Sequence, residues 1–473
     1  MNYIGIDIGT TSTKAVLFSN DGKVLRQHSI GYEMLHPEPD YSEQKPDEIY
    51  AAVKQCLDTV AANLTGEVVI SFSSAMHSIM AVDKDGNPLS NLIIWADNRA
   101  KEIAEKLKKS DLGKEIYHRT GLPIHSFSFY PKLLWFKQNQ PQIFAQAHKF
   151  IGIKEYVWFK FFGEYKIDYS LATGTGMFNI RNLTWDSVAL QNAGIDKKKL
   201  PDIEPVTYKE TVNTKQKIEN WILGGGDGPL ANLGTGAMQT GTMAFTMGTS
   251  GAVRLCSATP YTDLQMRTFS FVLSETENVI GGATNNGAVV VQWLKEQILK
   301  TDISTDNLLK SAEKIPAGAD GLQFLPYLLG DRAPIWNADA RGVFFGLGIN
   351  HTQGHLVRAV MEAIVMNLYV VGRILMETQP VYQISASGGF AKSELWLQIL
   401  ADVFQKPVIV NDTVEGSAWG AVLIAKRAMG EVADENMDTS NAKIYQPNPQ
   451  NKSVYEKKFE QLVRLYDKLK DEF

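Results

Sequence analysis

The sequence predicts an α/β protein of two domains, and three observations carry this. The chain has 473 residues, more than one hydrophobic core usually serves. Its N-terminal stretch reads β-β-β-α-β, alternating apolar runs giving way to a helical period and back. A strand, glycine–hydroxyl turn, strand unit also occurs twice. Gly9-Thr10-Thr11-Ser12-Thr13-Lys14-Ala15-Val16-Leu17 is matched, one residue shorter, by Gly248-Thr249-Ser250-Gly251-Ala252-Val253-Arg254-Leu255. One copy in each half points to a duplication. The boundary is placed near residue 244, giving domains 1-244 and 245-473.

The elements follow in order. Asn2–Asp7 and Thr13–Phe18 are strand-like runs on either side of the first turn, and Asn20-Asp21-Gly22 is a hairpin signal leading into Lys23–Tyr32. Pro46–Leu64 reads as an amphipathic helix. Ile49, Ala52, Val53, Cys56, Leu57, Val60, Ala61 and Leu64 recur at i, i+3, i+4, i+7, with proline in the first turn. Glu67–Ser73 is a β-branched run expected to be a buried strand; Met76–Val82 follows, closed by Asp85-Gly86-Asn87. Further on, Ile222-Leu223 breaks into Gly224-Gly225-Gly226-Asp227 before a helix-like segment. The second half has a long helix over Gln353–Met376, with Leu356, Val360, Ile364 and Leu368 on one face. Strand-like Tyr382–Ser387 comes next, then the turn Ser387-Gly388-Gly389 and a helix from about Lys392 to Phe404. Strand Val408–Val410 and a helix from Glu415 complete the pattern.

Composition excludes several classes. The chain is 44% apolar and 21% charged, without a biased tract, as a globular protein is. A formal charge of −5 gives no reason to expect nucleic acid or an anionic membrane as partner. Cys56 and Cys256 are far apart and form no CxxC, which argues against a disulfide scaffold or a cysteine zinc site and fits a reducing cytoplasm. No signal peptide is expected, and the apolar segment 363–376 is too short to span a bilayer.

The chemistry lies in the turns. Consecutive backbone N–H groups in a Gly/Thr/Ser turn form an anion-binding concavity, and glycine admits a phosphate without a Cβ in the way. Thr10, Thr11 and Ser12 in one half and Gly248, Thr249, Ser250 and Gly251 in the other are therefore phosphate-binding candidates. Asp7, ending the first strand, could hold Mg²⁺ through water. Lys14 could meet a phosphate or be a solvated strand residue. Asp227 could N-cap the following helix, but its place after three glycines favours a base for a hydroxyl proton. Two such hairpins and one isolated carboxylate suit an ATP-dependent phosphotransferase. No GxxxxGK[ST], no GxGxxG after a strand and no HExxH occurs. His351 and His355 have i, i+4 spacing, but His351 is expected to precede the helix, so they are not read as a metal pair.

These residues resemble the FGGY carbohydrate kinases essentially end to end. Asp7–Lys14 is similar to the family's first phosphate motif, Gly225-Gly226-Asp227 to its catalytic aspartate, and Gly248–Gly251 to its second phosphate motif. Ser387–Ser393 resembles the adenosine motif, with Gly388, Gly389 and Ser393 as nucleotide candidates; Gln292 is added to them. Gly342-Val-Phe-Phe-Gly346-Leu347, with His355–Glu362 after seven residues, satisfies the C-terminal signature. The N-terminal signature fits at Lys132, Leu133, Trp135 and Asn139 and departs at Phe129. The resemblance implies an actin-like ATPase (ribonuclease H-like) fold with an interdomain active-site cleft, and ATP with Mg²⁺.

Three segments, Ser73–Ser78, Trp95–Arg99 and Gly281–Gly287, look more like gluconate kinases than xylulose kinases, as does the stretch after Asp227. The resemblance makes Met76, His77, Trp95, Asp97, Arg99 and Asn286 the substrate-binding candidates. Arg99 is chemically apt for a sugar acid, because guanidinium pairs with carboxylate in a fork; it could equally be a surface helix residue paired with Glu102. The expected reaction is phosphorylation of D-gluconate to 6-phosphogluconate, with Asp227 as base. D-xylulose is the runner-up, and a non-metabolic actin-like ATPase is the rival of another class. Cytoplasmic location is expected, and a homodimer is left open.

Overall fold

The computed structural model describes residues 1–213, 217–410, 415–432 and 442–473. Two compact units result. The first comprises Met1–Gly234, Ser257–Val279 and Val414–Glu435; the second comprises Thr235–Cys256, Ile280–Thr413 and Asn436–Phe473.

The sheet of the first unit contains β1 (Asn2–Ile8), β2 (Ser12–Phe18), β3 (Val24–Gly31), β4 (Gly66–Ser74), β5 (Lys209–Asn213) and β6 (Lys217–Gly226), in the order β5-β6-β4-β1-β2-β3. β1 pairs parallel with β4, and β4 with β6; the outer pairings are antiparallel. Alternation along β1 sends Ile4, Ile6 and Ile8 into one core with Val53, Cys56 and Val60 of α1 (Pro46–Val60). This helix stops four residues short of the expected Leu64. Asn63 takes φ +61° and Gly66 φ +81°, so the chain turns into β4 although Ala61 and Leu64 still pack on the core.

Gly5 faces the other way, where a Cβ would stand 2.3 Å from the Ala418 carbonyl oxygen. That oxygen belongs to a helix from late in the chain, Gly416–Ala428. The same helix meets the helix Asp227–Gly234 through glycines. A Cβ on Gly234 would lie 1.9 Å from the Gly416 carbonyl, and one on Gly420 2.0 Å from that of Leu230. Backbone-to-backbone approach of this kind admits no larger residue. It also explains why the first unit reclaims a segment some 180 residues beyond the expected boundary.

Six consecutive strands of the seven-stranded second sheet are β7 (Thr242–Met247), β8 (Gly251–Ser257), β9 (Asn278–Thr284), β10 (Gln383–Ser387), β11 (Val408–Val410) and β12 (Lys443–Tyr445), running β9-β8-β7-β10-β11-β12, with Phe269–Val272 outside β9. β7 pairs antiparallel with β8 and parallel with β10; β10 pairs parallel with β11, and β11 antiparallel with β12. Position for position this is the β3-β2-β1-β4-β6-β5 run of the first sheet, the duplication that the two turns announce. A cut at 244/245 would fall inside β7. The helix Gln353–Thr378 is long and apolar enough to cross a membrane, yet most of it is buried inside the second unit as a core helix.

Candidate active site

The two glycine–hydroxyl turns are built alike. A trans peptide points its C=O and the next N–H in opposite directions, so capturing the carbonyls turns the amides outward. In the first turn Gly9 N–H donates to Ser12 O at 3.0 Å, closing the loop. The Tyr32 hydroxyl donates to Gly9 O, Gln44 Nε2 to Thr10 O at 2.6 Å, and Tyr32 N to Thr11 O at 3.2 Å. In the second turn Gly248 N–H donates to Ser250 O at 2.9 Å. Ala288 N donates to Gly248 O at 2.8 Å, and Gly287 N and Val289 N to Thr249 O at 3.2 and 3.3 Å. Among the described residues, the N–H groups of Thr10, Thr11, Thr249 and Ser250 have no hydrogen-bond partner. Each hairpin thus offers two consecutive outward amides, the donor set of an anion cradle. Tyr32, Gln44 and Gly287 carry no local sequence signal for this work, because each reaches its turn from a distant segment.

Asp7 and Asp227 share one end of the first sheet. Asp7 pairs in register with Ser73 of β4, and Ser73 with Gly225 of β6. The two acidic residues therefore stand near the ends of strands two apart, roughly 10 Å at the backbone. The Ser73 hydroxyl donates to Asp7 Oδ1 at 2.8 Å. Burial pushes the Asp7 carboxyl from its ordinary 3.8 up to about 6; the nearby Asp227 carboxylate adds to the rise and the Ser73 hydroxyl opposes it. Asp227 opens the helix Asp227–Gly234, and its Oδ1 accepts from Gly228 N–H at 2.7 Å. This bond orients the carboxylate.

Met76 lies over Gly226, where a Cβ would be 2.9 Å from its sulfur. His77, at φ +71°, donates from Nδ1 to the Gly174 carbonyl at 2.7 Å, which fixes the tautomer with Nδ1 protonated. Its ring meets Phe127 edge-on, with centroids 4.4 Å apart. Trp95 donates from Nε1 to Thr10 Oγ1 at 2.8 Å, tying its loop to the first cradle. Lys132 is fully buried and donates to the carbonyls of His77, Ile94 and Phe127 at 3.2, 2.7 and 2.7 Å. One ammonium so gathers three loops around Met76 and His77, and burial pushes it down to about 7.

Other candidates fall elsewhere. The Arg99 side chain is 2% exposed and bound to Asp97 (2.7 Å) and Glu43 (2.6 Å), with its guanidinium 3.7 Å from the Tyr41 ring centroid. Asp97 is wholly buried and also accepts from Ser42 N at 2.7 Å. Both residues are occupied with each other, and the partners are Asp97 and Glu43, not Glu102. Arg99→Ala removes the ion-pair partner of the wholly buried Asp97 and of the half-buried Glu43 and is expected to cost about 3–5 kcal/mol of stability, measured by urea unfolding. Lys14 pairs with Glu415 at 2.7 Å, a contact across 401 positions. Asn286 is wholly buried in the second unit, donating to Gly330 O at 2.6 Å and accepting from Leu329 N at 3.2 Å; it holds that loop. Gly251 is buried, and a Cβ there would lie 3.0 Å from Leu368, so a side chain at this position would point into the core. Gln292 is exposed and bonds Glu296 at 3.0 Å. Ser393 N-caps the helix Glu394–Phe404 by accepting from Trp396 N. Gly388, at φ +99°, lets its turn close on Met247 O, where a Cβ would come within 2.3 Å; a Cβ on Gly389 meets nothing within 4 Å.

A duplicated α/β frame, two turns with outward amides and two acidic residues at one sheet end suit a phosphotransferase. Residues 2–234 match the N-terminal domain and 243–429 the C-terminal domain of the FGGY family of carbohydrate kinases. The chain belongs to that family and is a kinase of carbohydrate hydroxyl groups. It is 42% identical to a gluconokinase of Bacillus subtilis strain 168 over 91% of this chain and 88% of that one. Two solved structures from Lactobacillus acidophilus, one described as a gluconate kinase and one as a ligand-bound xylulose kinase, each superpose with a TM-score of 0.93. Both are 35% identical, covering 99% of this chain and 98% of theirs.

Proposed function

We propose that the protein transfers the γ-phosphoryl group of ATP to D-gluconate, giving 6-phosphogluconate, in the cytoplasm. Asp227 takes the proton of the terminal hydroxyl as its oxygen forms a bond to the γ-phosphorus. The bond to the β,γ-bridging oxygen breaks, and ADP leaves with that electron pair. The outward amides of Thr10, Thr11, Thr249 and Ser250 are the donors for phosphate oxygens, and Gly388-Gly389 is the adenosine turn. The observation that carries the reading is Asp227, set at a glycine-built strand end beside Asp7. Kinship with a gluconokinase over most of the chain supports the sugar acid.

The acidic pair suits a divalent cation. A carboxyl held up by burial and a second carboxylate is relieved by positive charge. Among the described residues no group of three His, Cys, Asp or Glu could hold a metal alone. Mg²⁺ commonly takes one or two carboxylates plus substrate phosphates and water; Asp7 is the residue that would hold it, through water. When bound, it would neutralise charge on the β- and γ-phosphates.

D-xylulose is a second reading, favoured by the structural relative described as a xylulose kinase. The test of the nucleotide assignment is Gly248→Val. A Cβ on Gly248 meets nothing within 4 Å, so the fold tolerates it while the cradle is filled. The KM for ATP is expected to rise by an order of magnitude or more, about 1.4 kcal/mol per decade, with the KM for gluconate unchanged. An unaltered KM for ATP removes the hairpin from the nucleotide site. ADP release that needs no sugar acceptor would favour the non-metabolic ATPase.

A further inference from the structure

β6 does not run straight to Asp227. Its pairing with β4 slips between Ile222 and Gly225, and Gly224 takes φ +67° with a notional Cβ 1.8 Å from the Phe72 carbonyl oxygen. A bulge of consecutive glycines is pliable, and a base needs a fixed position. Three buried polar residues grip this bulge at both ends. Lys154, on the helix Ile153–Phe162, donates from Nζ to Leu223 O at 2.9 Å and forms an ion pair with Asp168. Asp168 Oδ1 accepts from the Ser170 hydroxyl, from Ser170 N at 2.8 Å and from Leu171 N at 3.1 Å. The single proton of the Ser170 hydroxyl goes to a carboxylate that can only accept. Its lone pair is thereby presented to Gly226 N–H, which donates at 2.8 Å. Gly225 leaves room for this, since a Cβ there would sit 2.9 Å from Ser170 Oγ. Lys154 is 1% exposed in its side chain, and Asp168 and Ser170 are wholly buried.

We propose that Lys154, Asp168 and Ser170 are positioning residues for Asp227. They clamp Leu223 and Gly226 on either side of the glycine bulge and so set where the carboxylate at its end stands. The inference rests on the reading of Asp227 as base. An ion pair that served the fold alone would need no hydroxyl passing its polarity on to the amide immediately before Asp227.

The experiment is a double-mutant cycle in gluconate phosphorylation with Ser170→Ala and Asp227→Asn. Ser170→Ala is expected to lower kcat roughly 10- to 100-fold, the scale of an ångström-size misplacement. The KM values for ATP and gluconate should move less than about threefold. In the Asp227→Asn background the same change should cost nothing further, because a misplaced base that is already absent cannot be lost twice. Equal losses in both backgrounds, or a lowered melting temperature with kcat intact, overturn the inference. Wild-type turnover by Asp227→Asn instead overturns the reading of Asp227 itself, so the two failures are distinct. If Ser170→Ala does not fold, the isosteric pair Ser170→Thr and Ser170→Val asks the same question. The threonine should keep kcat and the valine lose it; equal behaviour of the two refutes the clamp.

Discussion

Asp227→Asn is expected to lower kcat by roughly two to four orders of magnitude, the usual contribution of a positioned general base. The amide has the shape of the carboxylate, and its oxygen can still accept from Gly228 N–H. The helix Asp227–Gly234 and its glycine contacts with Gly416 and Gly420 should therefore survive, and so should affinity for ATP. What the asparagine lacks is basicity. Steady-state turnover with gluconate, set beside calorimetric titration with ATP, separates loss of chemistry from loss of binding. A variant that turns over near the wild-type rate leaves Asp227 as a helix cap. The change should also lower the Asp7 carboxyl, whose rise the Asp227 charge helps to cause.

The second large effect is a trade between stability and activity at Asp7. Its folded-state carboxyl titrates near 6 against an ordinary 3.8, with burial as the first cause. A group whose pKa is raised on folding favours the folded state while protonated. That advantage is complete below about 3.8 and lost as pH rises through about 6. At neutral pH the ligand-free protein thus carries an ionised, partly desolvated carboxylate whose charge disfavours the folded state. Asp7→Asn, which still accepts from the Ser73 hydroxyl, should unfold at higher denaturant than wild type at pH 7.5. The gap should close as pH falls from about 6 to below 4. The same variant should lose most of its turnover, since an amide binds a cation poorly. Denaturant midpoints at several pH values check the first half; a variant less stable than wild type at pH 7.5 contradicts it.

Local chemistry made much of this legible in the sequence. Gly9–Ser12 and Gly248–Gly251 are hairpin tips because glycine and hydroxyl residues interrupt strand runs, and the duplicated sheet follows from finding two of them. Asp227 stands out because its setting, a strand dissolving into glycine, lies within a few residues of it. Partners that come from far along the chain left no such trace. Arg99 has the chemistry of a carboxylate binder, but the carboxylates it meets, Asp97 and Glu43, are its own. Lys14 finds Glu415 across 401 positions, and Asn286 is used up by the loop at 329–330. The return of residues 416–428 to the first unit left no trace for the same reason. Nothing in the residues 416–428 says that their backbone must lie against Gly5 and Gly234, and it is the two glycines that permit it.

The sugar decides whether the proposed reaction stands, and it can be read directly. Purified wild-type protein is assayed with ATP and Mg²⁺ on D-gluconate and on D-xylulose, following ADP release and identifying the phosphorylated product. A higher kcat/KM for gluconate, with 6-phosphogluconate as product and little ADP release in the absence of acceptor, is the expected result. Preferred turnover of xylulose, or ADP release at the same rate with no acceptor present, would contradict it.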